Sequence, residues 1–418
     1  MRLLRGRLDG AGVPAVSRRP LRVTLLAALA LACESVPTDA VTRCEATRVV
    51  PAAVKTDILF VIDDSGSMDE EQANLRDNLD AFIDALVAAP IANEFQIGVT
   101  NTSVEAYNTG TSYPKDTPAQ YKPYPAGALI AIRQTAPGVA NPGDILWTAT
   151  DGFTGPRILT AASPSLVEDF KANVRVGTYG AGKEQPFRAT RLALTDRVAD
   201  GVNAGFLRPG ARLAVVFVSD EDDCTDTAAP FATSDSQCHD AAFKDASLDA
   251  VDDFVDFLRG TIDGERREVT VASIVGVDAA TGDPSCLTCA NTACGTAYDG
   301  AVRFSQLAER LGTLRTRTGS ICDPSFRSIL EDIAGLLVAQ SLPLDGTPAD
   351  WRMLAVAVDR DGVETIPCPV ALEESADALT AGAVYTPPLE GRPAALTFQN
   401  DCRLQQGDRV QVQVVCAG

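Results

Sequence analysis

The stretch "DILFVIDDSGSM", Asp57 to Met68, constrains this chain more than any other. Ile58 to Ile62 is an unbroken apolar run, which suits a strand covered on both faces. At its end the polarity inverts into Asp63, Asp64, Ser65, Gly66 and Ser67. In an extended turn the side chains of Asp63, Ser65 and Ser67 alternate onto one side, and Gly66 lets the backbone bend tightly. Three oxygens then converge at a strand end. Hard donors of low total charge suit a magnesium ion that keeps some of its waters.

The following segments supply the layers such a strand needs. Leu75, Leu79, Phe82, Ile83, Leu86 and Val87 recur at helical spacing, and "FQIGVTN" (95–101) reads as a second strand. Residues 103–160 form a long irregular stretch with Tyr107, Tyr113, Tyr121 and Tyr124, with one or two short strands expected around "GALIAIR". Helices are expected at 165–174 and 185–198, and "RLAVVFVSD" (212–220) is another buried strand. A polar insertion at 221–247 leads to the helix "LDAVDDFVDFLR", stopped by Gly260. "EVTVASIVGV" (268–277) is a further strand, and a last helix places Phe326, Ile329, Leu330, Ile333, Leu336 and Leu337 on one face. Apolar strands between amphipathic helices predict an α/β fold with a mainly parallel sheet covered on both faces. From 341 to 418 "RMLAVAV", "AALTFQ" and "VQVQVVC" read as strands with no helical period between them, a small antiparallel β module.

In an open parallel sheet, ligands bind beyond the carboxyl ends of the strands. "LAVVFVSD" also ends in an acid, Asp220, so two neighbouring strand ends would bring Asp63, Ser65, Ser67 and Asp220 to one point. Ser67 with Glu70 also matches the S-x-x-E capping box of a helix start; the cap uses one lone pair and is compatible with metal binding. D-x-S-x-S after an apolar strand resembles the metal-ion-dependent adhesion site of the von Willebrand factor type A domain, and the resemblance covers roughly residues 55–340. It implies a doubly wound, Rossmann-like sheet. It also implies a Mg2+ (or Mn2+ or Ca2+) ion bound directly by the two serines and by the acids, directly or through water. One position stays open for a partner's carboxylate. Where that family places a threonine before a helix, this chain has "GKEQPFRAT", which sets Glu184 there. A carboxylate at that point either binds the ion more tightly or fills the position otherwise offered to a partner; Thr178 is the weaker substitute. The set D-D-S-G-S-M, G-K-E-Q-P and S-D-E-D-D-C is similar to that of exported bacterial lipoproteins with A domains.

Beside the site lie Glu221, Asp222 and Asp223. Acids this close raise one another's pKa unless a cation is near. They form either a solvated loop held by a Cys224–Cys238 disulfide or a second ion site, for which calcium is the expected occupant. The N-terminus carries the marks of export. Arg18, Arg19 and Arg22 precede "VTLLAALALA", too short to cross a bilayer and right for a signal peptide spanning 1–32. "ALAC" resembles a lipobox with Cys33 as the acylated residue, followed by a tether at 33–54; plain cleavage after Ala32 is the alternative. Of 11 cysteines, those other than Cys33 are even in number, as in a disulfide framework. Cys224–Cys238 and Cys402–Cys416 are the local candidates. "CLTCANTAC" (Cys286, Cys289, Cys294) has no second C-x-x-C and no nearby histidine, which favours disulfides over zinc.

A net charge of −20 repels nucleic acid. The single histidine, His239, reads as a surface residue, so a His-based triad has no other candidate, and no phosphate loop of the GxxxxGK type occurs. The expectation is therefore a non-enzymatic, cell-envelope binding protein, at the outer membrane or cell surface or else in the periplasm. It would use its cation to recognise a protein or peptide carboxylate. The alternative is a structural lipoprotein whose ion only stabilises the fold.

Overall fold

The apolar run at 58–62 forms the middle of a six-stranded sheet, where burial on both faces is what its composition demands. The computed structural model describes residues 47–49, 54–88, 93–104, 125–131, 147–148, 152–153, 156–178, 180–228, 232, 235–284, 297–338, 340–344, 346–360, 362–388, 393–405 and 407–414. The signal segment, Cys33, Cys286, Cys289, Cys294, Cys416 and the four tyrosines at 107–124 lie outside them.

The main elements in chain order are β1 (Thr47–Val49), β2 (Val54–Ile62), α1 (Asp69–Val87), β3 (Asn93–Asn101), β4 (Leu159–Thr160), α2 (Leu166–Asn173), α3 (Pro186–Leu194) and β5 (Arg212–Val218). They continue with α4 (Ala241–Ser247), α5 (Val251–Arg259), β6 (Val269–Val275), α6 (Val302–Leu311), β7 (Thr316–Ser320) and α7 (Arg327–Leu337). The central sheet runs β7-β6-β5-β2-β3-β4, parallel except for the short edge strand β4. The chain first winds from β2 outward to β3, then returns to β5 on the other side of β2. The order reverses at the β2/β5 pair, the point where such sheets bind ligands.

Alternation along β2 fixes the two layers. Ile58, Phe60 and Ile62 pack with the apolar faces of α1, α2 and α7, and Leu59 and Val61 pack with α3, α5 and α6. Phe60 meets Phe82 and Phe170 edge-on, and Phe187 stacks on Phe254 at 4.4 Å between ring centres. These are the aromatic centres of the two layers.

The helix spacing read from sequence holds except at Val87, which is 63 % exposed at the end of α1. Residues 127–131, expected as a strand, make no ladder; Ile130 donates one backbone bond to Val99 (2.7 Å) and the segment is buried against β3. Helix α6 and strand β7 had no reading from sequence. β7 is "TRTGS", a sheet-edge strand too polar to show a pattern.

The C-terminal segments form two four-stranded sheets around a shared core that includes Leu354, Val356, Val358, Tyr385, Leu396, Phe398 and Val410. One sheet is β1-β14-β9-β10, with β9 (Leu354–Arg360), β10 (Glu364–Cys368) and β14 (Arg409–Val414). The other is β8-β13-β12-β11, with β8 (Gln340–Pro343), β11 (Val370–Leu372), β12 (Ala383–Thr386) and β13 (Ala395–Phe398). The module is antiparallel apart from the β11/β12 pair. It also takes a strand from the segment expected as a tether, because β1 pairs antiparallel with β14.

Cys224–Cys238 is bonded as expected. The Cys402–Cys416 expectation fails: Cys402 is bonded to Cys368, 34 residues away in sequence but 5.9 Å between Cα atoms. Folding of the module brings the end of β10 against the turn after β13, a proximity that nearness in sequence did not reveal. Disulfides of this kind fit an exported protein. Among the described residues, no helix is long and apolar enough to cross a membrane.

Candidate cation site

The ends of β2 and β5 are tied by a backbone bond from Asp63 to the Val218 carbonyl (2.9 Å), which sets the two strand-end acids side by side. Asp63 is fully buried. Its carboxylate accepts from the Ser65 amide (2.8 Å) and from the Ser219 hydroxyl (2.6 Å), and it lies close enough to Asp220 for the two charges to repel. Ser65 and Ser67 join hydroxyl to hydroxyl at 3.1 Å, with Ser65 buried and Ser67 on the exposed rim beside Gly66. The structure thus links Asp63, Ser65 and Ser67 in one turn and sets Asp220 beside Asp63. The capping box is not: Met68 is the cap residue of α1 and no side chain caps it.

Glu184 enters from the loop before α3. It is buried rather than solvated, and its carboxyl faces those of Glu221 and Asp63. Four carboxyl groups therefore crowd one another: Asp63, Asp220, Glu184 and Glu221. Burial, first of all, raises the pKa of each. For Asp220 the charge of Asp63 adds to burial and carries it to about 8. Glu221 rises to about 7, and Glu184, which also faces Glu221, is pushed well above the carboxylate range. Ser67 stands near enough to Asp220 to oppose its shift, yet no hydrogen bond of good geometry reaches either Asp220 oxygen. Both oxygens of Glu184 and one of Glu221 are likewise buried without a hydrogen-bond donor.

The cations of the neighbourhood are committed elsewhere. Lys183 is paired with Asp226 at 2.5 Å, both fully buried. Lys244 binds Asp222 (2.9 Å) and Asp299 (2.5 Å), and Arg303 binds Asp223 (3.0 Å). Asp223 also accepts from the Phe187 amide, anchoring the start of α3. Asp222 and Asp223 are thus neither a solvated loop nor free ligands for a second ion; they are buried acids with their own bases. Of the proposed second-site trio only Glu221 keeps a buried oxygen without a donor, and it faces the first site. His239, expected at the surface, is half-buried, 3.2 Å from Asp299 and 3.6 Å from Glu221, and its pKa is raised chiefly by Asp299.

Several contributors escaped the sequence reading. Ser219 had a signal, standing beside Asp220 in "VSD". Gln72 donates to the Asp63 carbonyl (2.9 Å) and to the Gly177 carbonyl (2.8 Å), tying α1 to the loop that holds Thr178. Asp64 points away from the cluster. It binds Asn101, Ser103 (2.9 Å) and, more loosely, Thr102, while its carbonyl accepts from Gly180 at 2.6 Å. A Cβ on Gly180 would lie 2.3 Å from that carbonyl oxygen, so only glycine fits this close approach. Among the described residues no three Asp, Glu, His or Cys side chains form a ready-made metal cage. The gathered donors are carboxylates together with two serine hydroxyls.

Fold and site together define a mixed α/β protein with an acidic, hydroxyl-bearing cluster at the switch point of a mainly parallel sheet. No protein-family model matches the sequence, and no curated protein matches it. Solved structures similar to this chain include a von Willebrand factor type A protein from Catenulispora acidiphila (13% identity, TM-score 0.34, 88% of this chain and 59% of that one). A second is the pilus adhesin SpaC from Lactobacillus rhamnosus GG in its open conformation (10%, TM-score 0.37, 88% and 39%). A third is proximal thread matrix protein 1 from the mussel byssus with a zinc-occupied MIDAS motif (13%, TM-score 0.32, 70% and 50%). The chain spans between 39% and 59% of the length of these structures.

Proposed function

We propose that this chain is a non-enzymatic binding module of the cell envelope that holds one divalent cation and through it recognises a carboxylate of a protein or peptide partner. The observation that carries this reading is the set of buried carboxylate oxygens on Asp220 and Glu184, packed with Asp63 and Glu221 and without a hydrogen-bond donor, while His239, 3.6 Å from Glu221, is shared with Asp299. Leaving such groups charged and unpaired costs several kcal/mol each, so the donor set fits a hard cation. Asp63, Ser65, Ser67 and Asp220 would hold it, with Glu184 as a further ligand. When bound, Mg2+ (or Mn2+ or Ca2+) would neutralise these acids and present positive charge to a partner's carboxylate. Ser219 and Gln72 orient Asp63, and the exposed Ser67 and Gly66 leave that side of the cluster reachable from solvent.

The buried Glu184 favours a second reading, in which it closes the coordination shell and the ion only braces the top of the sheet. Titration of the chelated protein with Mn2+ separates the two. Binding should be saturable and lost in Asp63→Ala. Water-proton relaxation should then rise strongly if a position is open to solvent and hardly at all if Glu184 closes it. No saturable binding would refute both readings. The placement belongs to the same proposal: a signal peptide over 1–32, acylation at Cys33, a domain resembling the A family over 55–340 and a β module over 341–418. Mass spectrometry of the mature N-terminus tests the anchor.

A further inference from the structure

At the opposite end of the sheet, between its lower strand ends and the β module, lies a cavity of about 380 Å3. Thr56 at the start of β2 lines it, as do residues of β5, β6, β7 and β13. Its charged lining is Arg212, Arg315, Arg317 and Arg403 against Glu268 and Glu373. Two of the arginines are neutralised there: Arg212 by Glu268 (3.2 Å) and Arg315 by Glu373 (2.6 Å). Arg317 and Arg403 differ. Among the described residues neither has a carboxylate within ion-pair distance; Arg317 donates to the carbonyls of Thr313 (2.8 Å) and Thr316 (2.7 Å), and Arg403 to that of Gly335 (3.3 Å). The two guanidinium groups also feel each other. Burial lowers the pKa of Arg317, the charge of Asp332 opposes this, and Arg403 adds a smaller lowering. The hydroxyl of Thr56, buried in the same wall, has no hydrogen-bond partner.

Two arginines without an ion-pair partner among the described residues thus share one cavity, in a chain of net charge −20 where acids are abundant. We propose that this cavity is a binding site for a phosphate-type oxyanion, gripped by Arg317 and Arg403 with the Thr56 hydroxyl as a further donor. The planar fork of each guanidinium matches two oxygens of such a group. The volume suits a small ligand. Leu337, Val384 and Phe398 add an apolar wall, and the 56 % exposed Leu379 stands at the lining, so the phosphate can be free or the head of a larger amphiphile.

The full chain is tested by calorimetry with inorganic phosphate at constant ionic strength, using chloride as the control, and by co-sedimentation with vesicles carrying a phosphomonoester lipid against neutral vesicles. The expected result is saturable binding that survives EDTA and Asp63→Ala. It should weaken at least about tenfold in Arg317→Gln and in Arg403→Gln, the weight of one charge-assisted hydrogen bond. Binding of free phosphate identifies a soluble source, and binding confined to vesicles a lipid headgroup. Arg403 is exposed, so Arg403→Gln is the variant whose folding is least at risk. Without anion it should melt no lower than the parent, since it removes repulsion, and phosphate should raise the melting temperature of the parent alone. Absence of saturable binding in both arms, or binding indifferent to both substitutions, overturns the site.

Discussion

Chelation should make the stability of this protein fall steeply as pH rises. Asp220 has its folded pKa near 8 against 3.8 for the free side chain, and Glu221 near 7 against 4.5. Between those limits the folded chain without a cation binds more protons than the unfolded one, so stability is greatest below the unfolded pKa and is lost as pH rises through the folded one. Each tenfold change in proton affinity is worth about 1.4 kcal/mol. From about pH 5 to about pH 8 the two groups together would remove on the order of 5 kcal/mol, comparable with the whole stability of many domains. The rising charges of Asp63 and Glu184 act in the same direction. Urea unfolding followed by tryptophan fluorescence and circular dichroism, in EDTA and in millimolar Mg2+, measures the effect. The cation should flatten the slope at the alkaline side, because it replaces the protons it displaces. An Asp220→Asn, Glu221→Gln double variant, which removes both of these groups, should lose most of that slope even in EDTA. If the chelated parent is as stable at about pH 8 as at about pH 5, the crowding of these carboxylates does not exist as described and the cation reading loses its physical basis.

Three further outcomes follow from the same region. Lys183→Met leaves Asp226 charged and fully buried without its base; it should cost about 3–5 kcal/mol in urea unfolding, and much of this should return when Asp226→Leu is added. Gly180→Ala forces a Cβ against the Asp64 carbonyl; a loss of about 1–3 kcal/mol is expected, with weaker Mn2+ binding in the relaxation titration. Replacing Cys224 and Cys238 by serine opens a loop of 14 residues and should lower stability by about 3 kcal/mol. A thermal melt with and without reductant on the parent checks the direction independently.

Much of the architecture was legible because it rests on composition read at short range. An apolar run covered on both faces announces a central parallel strand, and the helical spacing of Leu75, Leu79, Phe82, Ile83 and Leu86 announces the face of α1 that covers it. Elements that carry no such pattern stayed hidden. β7 pairs only at the sheet edge and is polar, and β1 gains its identity from β14, several hundred residues away in sequence. The same limit explains the cysteines. Cys224–Cys238 closes a local loop and was readable, but Cys368–Cys402 depends on how the β module folds.

The site divides along the same line. The sequence alone determined that Asp63, Ser65 and Ser67 stand together just past the end of an apolar strand, because so short a segment keeps them near one another whatever surrounds them. It also determined that "LAVVFVSD" ends in an acid at a strand terminus. Only the tertiary structure decided which acids meet. Asp222 and Asp223, adjacent to Asp220 in the chain, turn to Lys244 and Arg303, whereas Glu184, 36 residues before Asp220, joins the cluster from another loop. A carboxylate is spent on whichever base or ion packs against it, and that pairing is set by the three-dimensional neighbourhood rather than by position in the chain.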